Sequence, residues 1–72
     1  MTERVTVSLN GEPRELEAGS RVADLVAALG HDPGRPGVAV AVNGEVVPRG
    51  SWADHPLDDG DRVELVGAVQ GG

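Results

Sequence analysis

The sequence has no cysteine, no lysine, no phenylalanine and no tyrosine, and it contains a single tryptophan. Without cysteine, the chain can form no disulfide, hold no persulfide and offer no thiolate nucleophile. Without lysine, it cannot be joined into polymers through its own lysine side chains. Because the large aromatic residues are nearly absent, we expect a core built from aliphatic side chains.

The composition describes one small acidic domain. The chain has 72 residues, with 12 acidic and 6 basic side chains and a formal net charge of −6. This charge argues against nucleic acid and anionic membrane as partners and favours a partner with a basic docking face. The first residues form no apolar signal segment, and no apolar run is long enough to span a membrane. We expect a cytoplasmic protein that is monomeric when free.

Apolar and polar residues alternate in several short segments, which is typical of half-buried strands. Two Asn-Gly pairs, Asn10-Gly11 and Asn43-Gly44, each lie between two such segments, and Asn-Gly is a strong signal for a tight hairpin. The segment 49–57 carries no such pattern and is predicted to be irregular, with Trp52 and Leu57 closing one end of the core. The predicted strands are 4–9, 12–16, 38–42, 45–47 and 62–66.

One helix of two to three turns is predicted between the two hairpins. Ser20 is expected to cap its N-terminus, and Gly30 fits the position just beyond its C-terminus. Its apolar residues are spaced to occupy one helix face: Val22, Leu25, Val26 and Leu29.

The resulting order, β-β-α-β-β-β, predicts an α+β roll of the β-grasp kind, with one helix packed across a mixed sheet of about five strands. The β-grasp domain is expected to cover residues 1–66. The residues predicted to face the helix are Val5, Val7, Leu9, Val38, Val40, Val42, Val63 and Leu65. Those predicted to face away are Thr6, Ser8, Ala39, Ala41 and Val66.

Residues 67–72 are predicted to form a flexible tail that ends in Gly71-Gly72. A terminal carboxylate can attack the α-phosphate of ATP and become an acyl-adenylate, which a sulfur or amine nucleophile can then displace. Such chemistry requires the end of the chain to enter a narrow channel in a partner enzyme, and glycine suits this because it has no Cβ. The alternative is an ordinary glycine-rich terminus.

Five short motifs follow one another along the chain: Val42-Asn43-Gly44, Val47-Pro48-Arg49, Trp52, Asp59-Gly60-Asp61 and Gly71-Gly72. None is specific alone. In this order and spacing, the chain resembles the ThiS family of bacterial sulfur carriers over nearly its whole length, most strongly from Val38 onward.

The resemblance implies a β-grasp fold and a carrier that is a substrate of its partners and not itself an enzyme. A ThiF-like E1 enzyme would adenylate Gly72 with ATP and magnesium, and Gly71 would let the tail pass through the channel of that enzyme. A cysteine desulfurase route would supply sulfur to give a thiocarboxylate on Gly72. Thiazole synthase, ThiG, would receive that sulfur in thiamine biosynthesis.

The outer face of the predicted sheet is unusually small and smooth, and we expect it to be the docking surface for a partner, continuous with the tail. Ordinary surface variation is the alternative. Arg49 and Trp52 are a second candidate pair because interfaces favour these residue types, although a structural role at the end of the core is the alternative. The candidate docking residues are Ala39, Ala41, Val66, Val69, Arg49 and Trp52.

Three other functions remain open on the sequence alone: a sulfur carrier of another pathway, such as the molybdopterin-type small subunit; a ubiquitin-like protein modifier; and a plain binding module. No stably bound cofactor and no metal site are expected. The acidic run 58–61 lacks the spacing of a calcium loop and is expected to be a turn. His31 and His55 have no neighbouring ligands in the sequence and are expected to be loop residues.

Overall fold

A five-stranded sheet and one α-helix make up most of the described chain. The structure is a computed structural model and describes residues 3–31 and 37–67. The strands are β1 (Arg4–Leu9), β2 (Glu12–Glu17), β3 (Val38–Val42), β4 (Glu45–Val47) and β5 (Arg62–Gly67). The helical elements are α1 (Val22–Ala28) and a 3-10 helix (Arg49–Asp54).

Both Asn-Gly pairs form hairpin turns, as predicted. Asn10 and Gly11 have φ angles of 50° and 89°, and Asn43 and Gly44 have φ angles of 52° and 87°. Consecutive left-handed residues give the tight turn whose twist matches that of two antiparallel strands, and asparagine and glycine tolerate this conformation best. Each turn therefore connects the last residue of one strand directly to the first residue of the next.

The strand order in the sheet is β2-β1-β5-β3-β4. The two hairpins lie side by side with β5 between them, parallel to β1 and antiparallel to β3. The segment that contains α1 makes the crossover from the first hairpin to the second, and α1 covers one face of the sheet. The predicted mixed β-grasp fold is confirmed.

The core lies between the sheet and α1. Its buried side chains are those of Val7, Val22, Leu25, Val26, Val40, Val42, Val47, Trp52, Leu57 and Val63. The remaining strand residues predicted to face the helix are partly buried: Val5, Leu9, Val38 and Leu65. On the opposite face, Thr6, Ala39 and Val66 are exposed, whereas Ser8 and Ala41 are half-buried. Strand alternation therefore predicted the two faces of the sheet correctly.

Trp52 and Leu57 close one end of the core, as predicted, and each is only 2% exposed. The indole Nε1 of Trp52 donates a hydrogen bond to the carbonyl oxygen of Val47 at 2.8 Å. This bond satisfies the one polar atom of a buried indole. The segment predicted to be irregular contains the 3-10 helix, which places Trp52 over the core.

The predicted helix cap is wrong. Arg21, in extended conformation with φ −106°, occupies the N-cap position, and its backbone N–H donates to Oδ2 of Asp24 at 2.8 Å. Ser20 lies one residue before the N-cap, and its hydroxyl donates to the carbonyl oxygen of Glu17 at 2.7 Å, closing the turn after β2. The carboxylate of Asp24 supplies one half of a capping box, the hydrogen bond to the N–H of the N-cap residue.

The last strand is one residue longer than predicted. Gly67, predicted as the first tail residue, is the last residue of β5 and lies opposite Val38 of β3. The predicted tail residues 68–72 lie outside the described residues, and the assignment of that segment as a separate tail stays a prediction.

Replacing Leu25 with alanine is expected to lower the free energy of unfolding by roughly 2–5 kcal/mol, because the side chain is fully buried. Urea unfolding monitored by the fluorescence of Trp52 measures this loss. Val46→Ala is the matched control, since Val46 is 75% exposed. A loss for Leu25→Ala no larger than that of the control would contradict the assigned core.

Candidate functional site

An apolar patch lies on the face of the sheet opposite α1. It consists of Ala39 and Ala41 of β3, Val46 of β4 and Val66 of β5, and we call it the outer patch. The strand register sets Ala41 opposite Val46 and Ala39 opposite Val66. Val46 is 75% exposed and Val66 is 64% exposed, and these are the large apolar side chains that the described part of the chain leaves in solvent.

The remainder of this outer face is polar. On the β1–β2 half, Arg4 and Glu15 form an exposed ion pair with 3.7 Å between Nη1 and Oε1. On β5, Arg62 and Glu64 precede Val66 and lie on the same face of the sheet. The outer face therefore divides into a charged half and a small apolar half. An apolar patch bordered by polar residues is typical of a surface that contacts another protein.

The two alanines keep the centre of the outer patch flat. A flat surface lets a partner backbone or a large apolar side chain approach the strands closely. Next to the patch, a shallow depression of about 340 Å³ is lined by Gly37, Val38, Ala39 and Val66. It lies where β3 begins and β5 ends, so the patch reaches the point from which residues 68–72 continue.

The predicted site residues Val69, Gly71 and Gly72 lie outside the described residues. Their roles stay predictions. What the structure does establish is where their segment starts, at Gly67 in the middle of the sheet. Five further residues can extend at most about 17 Å beyond Gly67.

The acidic run before β5 forms a turn, as predicted. Oδ1 of Asp59 accepts a hydrogen bond from the backbone N–H of Thr6 at 2.7 Å. Oδ2 of Asp61 accepts one from the backbone N–H of Asp58 at 2.8 Å, and Gly60 has the left-handed φ of 90° that the turn needs. These carboxylates hold the turn against β1 and fix the start of β5.

Arg49 and Trp52 contact each other, but they differ in exposure. The guanidinium of Arg49 lies 4.7 Å from the ring centroid of Trp52, within the range of a cation–π interaction. Arg49 is exposed, whereas Trp52 is buried. The prediction that Trp52 itself contacts a partner is therefore corrected to its alternative, a core role, while Arg49 stays a candidate docking residue.

Val46 was not among the sequence-predicted docking residues, although it is more exposed than Val66. The signal for it was present in the sequence. Once Val47 is assigned to the core, strand alternation places Val46 on the opposite face. Its pairing with Ala41 follows from the Asn43-Gly44 turn, which fixes the register of the hairpin.

Among residues 3–31 and 37–67, no group of three or more His, Asp or Glu side chains is arranged to hold a metal ion. Neither helical element in these ranges has the length and apolar content needed to span a lipid bilayer.

Comparison with known proteins identifies the family. The model of the ThiS family matches residues 7–72. The chain belongs to the ThiS family. It is 44% identical over 66 residues to the sulfur carrier protein ThiS of Thermus thermophilus, a match that covers 92% of this chain and 98% of that protein. The region matched by the family model, residues 7–72, includes the outer patch, the acidic turn and the terminal glycines.

The fold agrees with this assignment. The crystal structure of the thiamine biosynthesis protein ThiS from Geobacter metallireducens superimposes with a TM-score of 0.77 at 30% sequence identity, covering 94% of this chain and all of that one. A thiazole synthase of Paramagnetospirillum magneticum is 41% identical over 64 residues, which cover 89% of this chain but only 19% of that protein. This chain therefore spans about a fifth of the length of that relative.

Proposed function

We infer that this protein is a sulfur carrier of thiamine biosynthesis. The observation that carries the inference is the family match over residues 7–72, which includes the terminal Gly71-Gly72. The sulfur carrier protein ThiS of Thermus thermophilus aligns over nearly its whole length. This chain is therefore long enough to form the same folded domain and the same C-terminal segment. The protein acts as a substrate of its partner enzymes and performs no catalysis itself.

The reactive group in this proposal is the terminal carboxylate of Gly72. One of its oxygens attacks the α-phosphate of ATP, the bond between the α- and β-phosphates breaks, and pyrophosphate leaves. A ThiF-like E1 enzyme supplies the ATP and magnesium site for this step. A persulfide sulfur from a cysteine desulfurase route then attacks the acyl carbon and displaces AMP, which gives an acyl disulfide. A second thiol of the partner system cleaves its sulfur–sulfur bond by forming a disulfide, and the thiocarboxylate is released. Gly71 serves passage through the enzyme channel because it has no side chain.

Thiazole synthase is the proposed acceptor of the sulfur. The support is the segment of the Paramagnetospirillum magneticum thiazole synthase that is 41% identical to this chain. A carrier-like segment within a thiazole synthase polypeptide indicates that the two proteins work on the same chemistry. After donation, the carrier returns to a plain carboxylate and can be activated again.

The outer patch is the proposed docking surface for the E1-like enzyme. It lies on the sheet next to the end of β5, so a partner bound there is positioned to receive residues 68–72. The formal net charge of −6 suits a partner with a basic rim around this contact. Arg49 is proposed as a peripheral contact, with Trp52 holding its guanidinium in place.

Deletion of Gly72, or addition of one residue after it, is expected to abolish adenylation. The reacting carboxylate would be displaced by one residue, about 3.5 Å, which is too far for its attack on the α-phosphate of ATP. ATP–pyrophosphate exchange with a ThiF-like enzyme measures the effect. A variant with one glycine added at the N-terminus is the matched control, and all three proteins are expected to melt at the same temperature. A normal exchange rate in both C-terminal variants would contradict the mechanism.

Val66→Asp is expected to raise the KM for the carrier in the same exchange reaction by at least about tenfold, as for a central interface residue, with little change in kcat. The fold should be retained because the side chain is 64% exposed. Ala18→Asp adds the same charge at the exposed turn beyond β2, at the far edge of the sheet, and is the control. Equal KM values for the two variants would show that the outer patch is not the docking surface.

A further inference from the structure

The two edges of β5 differ in how far they are paired with a neighbouring strand. On one side, β3 pairs with β5 along its whole length, from Val42 opposite Val63 to Val38 opposite Gly67. On the other side, β1 pairs with β5 at only two positions, the last being Leu9 opposite Val63. Beyond that point β1 turns away into its hairpin. The half of β5 that leads to the C-terminus therefore has no neighbouring strand on this side within the described ranges.

The side chain of Asn10 takes the place of the missing strand. Its Oδ1 accepts a hydrogen bond from the backbone N–H of Leu65 at 3.0 Å, and its Nδ2 donates to the carbonyl oxygen of Leu65 at 3.2 Å. Its own backbone N–H donates to the carbonyl oxygen of Val63 at 2.9 Å. One amide side chain thus supplies the donor and the acceptor that a paired strand residue would supply.

Asn43, in the second hairpin, provides an internal comparison. It has the same left-handed conformation, and its Oδ1 accepts a hydrogen bond from the backbone N–H of Arg62 at 2.9 Å. Its Nδ2 donates to Oδ1 of Asp61 at 3.0 Å. Asn43 therefore holds the start of β5, whereas Asn10 holds Leu65, two residues before the strand ends at Gly67.

We propose that Asn10 is a positioning residue for the reaction at the C-terminus: by holding Leu65 it fixes the end of β5, the point from which residues 68–72 continue toward the adenylating enzyme. This role rests on the proposed function. Residues 68–72 span at most about 17 Å, so they can make up only part of a shift of that point relative to the docked enzyme. Attack on a phosphate requires the reacting atoms to lie about 3–3.5 Å apart.

The test compares Asn10→Gly with Asn43→Gly. Glycine adopts the left-handed conformation readily, so both turns keep their backbone while each loses its side-chain hydrogen bonds to the β5 region. Both variants are expected to lose stability to a similar degree, since each loses two hydrogen bonds. The adenylation kinetics are measured by ATP–pyrophosphate exchange at a temperature where both variants are folded.

Asn10→Gly is expected to lower kcat about tenfold with the KM for the carrier unchanged within about twofold, because docking by the outer patch is intact while the end of β5 is no longer held in one position. Asn43→Gly is expected to keep the wild-type kcat. A purely structural role would act differently: partial unfolding reduces the concentration of competent carrier, which raises the apparent KM and leaves kcat unchanged.

Two further measurements sharpen the test. Asn10→Asp keeps an acceptor for the Leu65 N–H but loses the donor to its carbonyl, so its kcat should lie between those of wild type and Asn10→Gly. Amide hydrogen exchange of the free protein should accelerate at Leu65 in Asn10→Gly and not in Asn43→Gly.

A wild-type kcat for Asn10→Gly, or an equal fall in kcat for both glycine variants, would overturn the positioning role. If the wild-type protein itself supports no exchange with active enzyme, the proposed function fails and the positioning role fails with it. The two failures are distinguishable because the first requires an active wild-type carrier.

Discussion

The pairing of β5 between β1 and β3 is the constraint on which the other features of this protein depend. Val63 and Leu65 of this strand pack toward α1, whereas Val66 contributes to the outer patch. The end of the strand, Gly67, is the point from which residues 68–72 continue. One strand therefore connects the core, the proposed docking surface and the proposed reactive terminus. A one-residue shift in its register would exchange the two faces and misplace all three.

Besides its backbone pairing with β3 and β1, β5 and the turn before it are held by hydrogen bonds from side chains in turns. Asp59 and Asp61 fix the turn that precedes it, Asn43 holds its first residue, and Asn10 holds Leu65. A core this small and aliphatic provides limited stabilisation. Polar side chains whose donor and acceptor groups are both hydrogen-bonded fix the position of one strand against its neighbour, which apolar packing alone would not do. The Asn-Gly hairpins thus close the two strand pairs and also hold the strand between them, Asn43 at its start and Asn10 near its end.

The sequence was sufficient for those features that depend on local periodicity. Alternation predicted which residues face α1, and the Asn-Gly pairs predicted both hairpins. The prediction from sequence was wrong where a side chain has several possible hydrogen-bond partners close in the chain. Ser20, for example, bonds to Glu17 and does not cap α1. The sequence could not show the contact between Asn10 and Leu65, because these residues are 55 positions apart and meet only through the parallel pairing of β1 with β5. The burial of Trp52 was predicted, but the 3-10 helix that places it over the core was not, because that helix has no periodic signal.

The most direct test of the sulfur carrier function is the intact mass of the protein after incubation with ATP, magnesium, a ThiF-like enzyme and a sulfur donor. The account predicts a mass increase equal to the exchange of one oxygen atom for one sulfur atom, located by fragmentation to Gly72. An unchanged mass, under conditions that convert a ThiS protein of known activity in parallel, would contradict it.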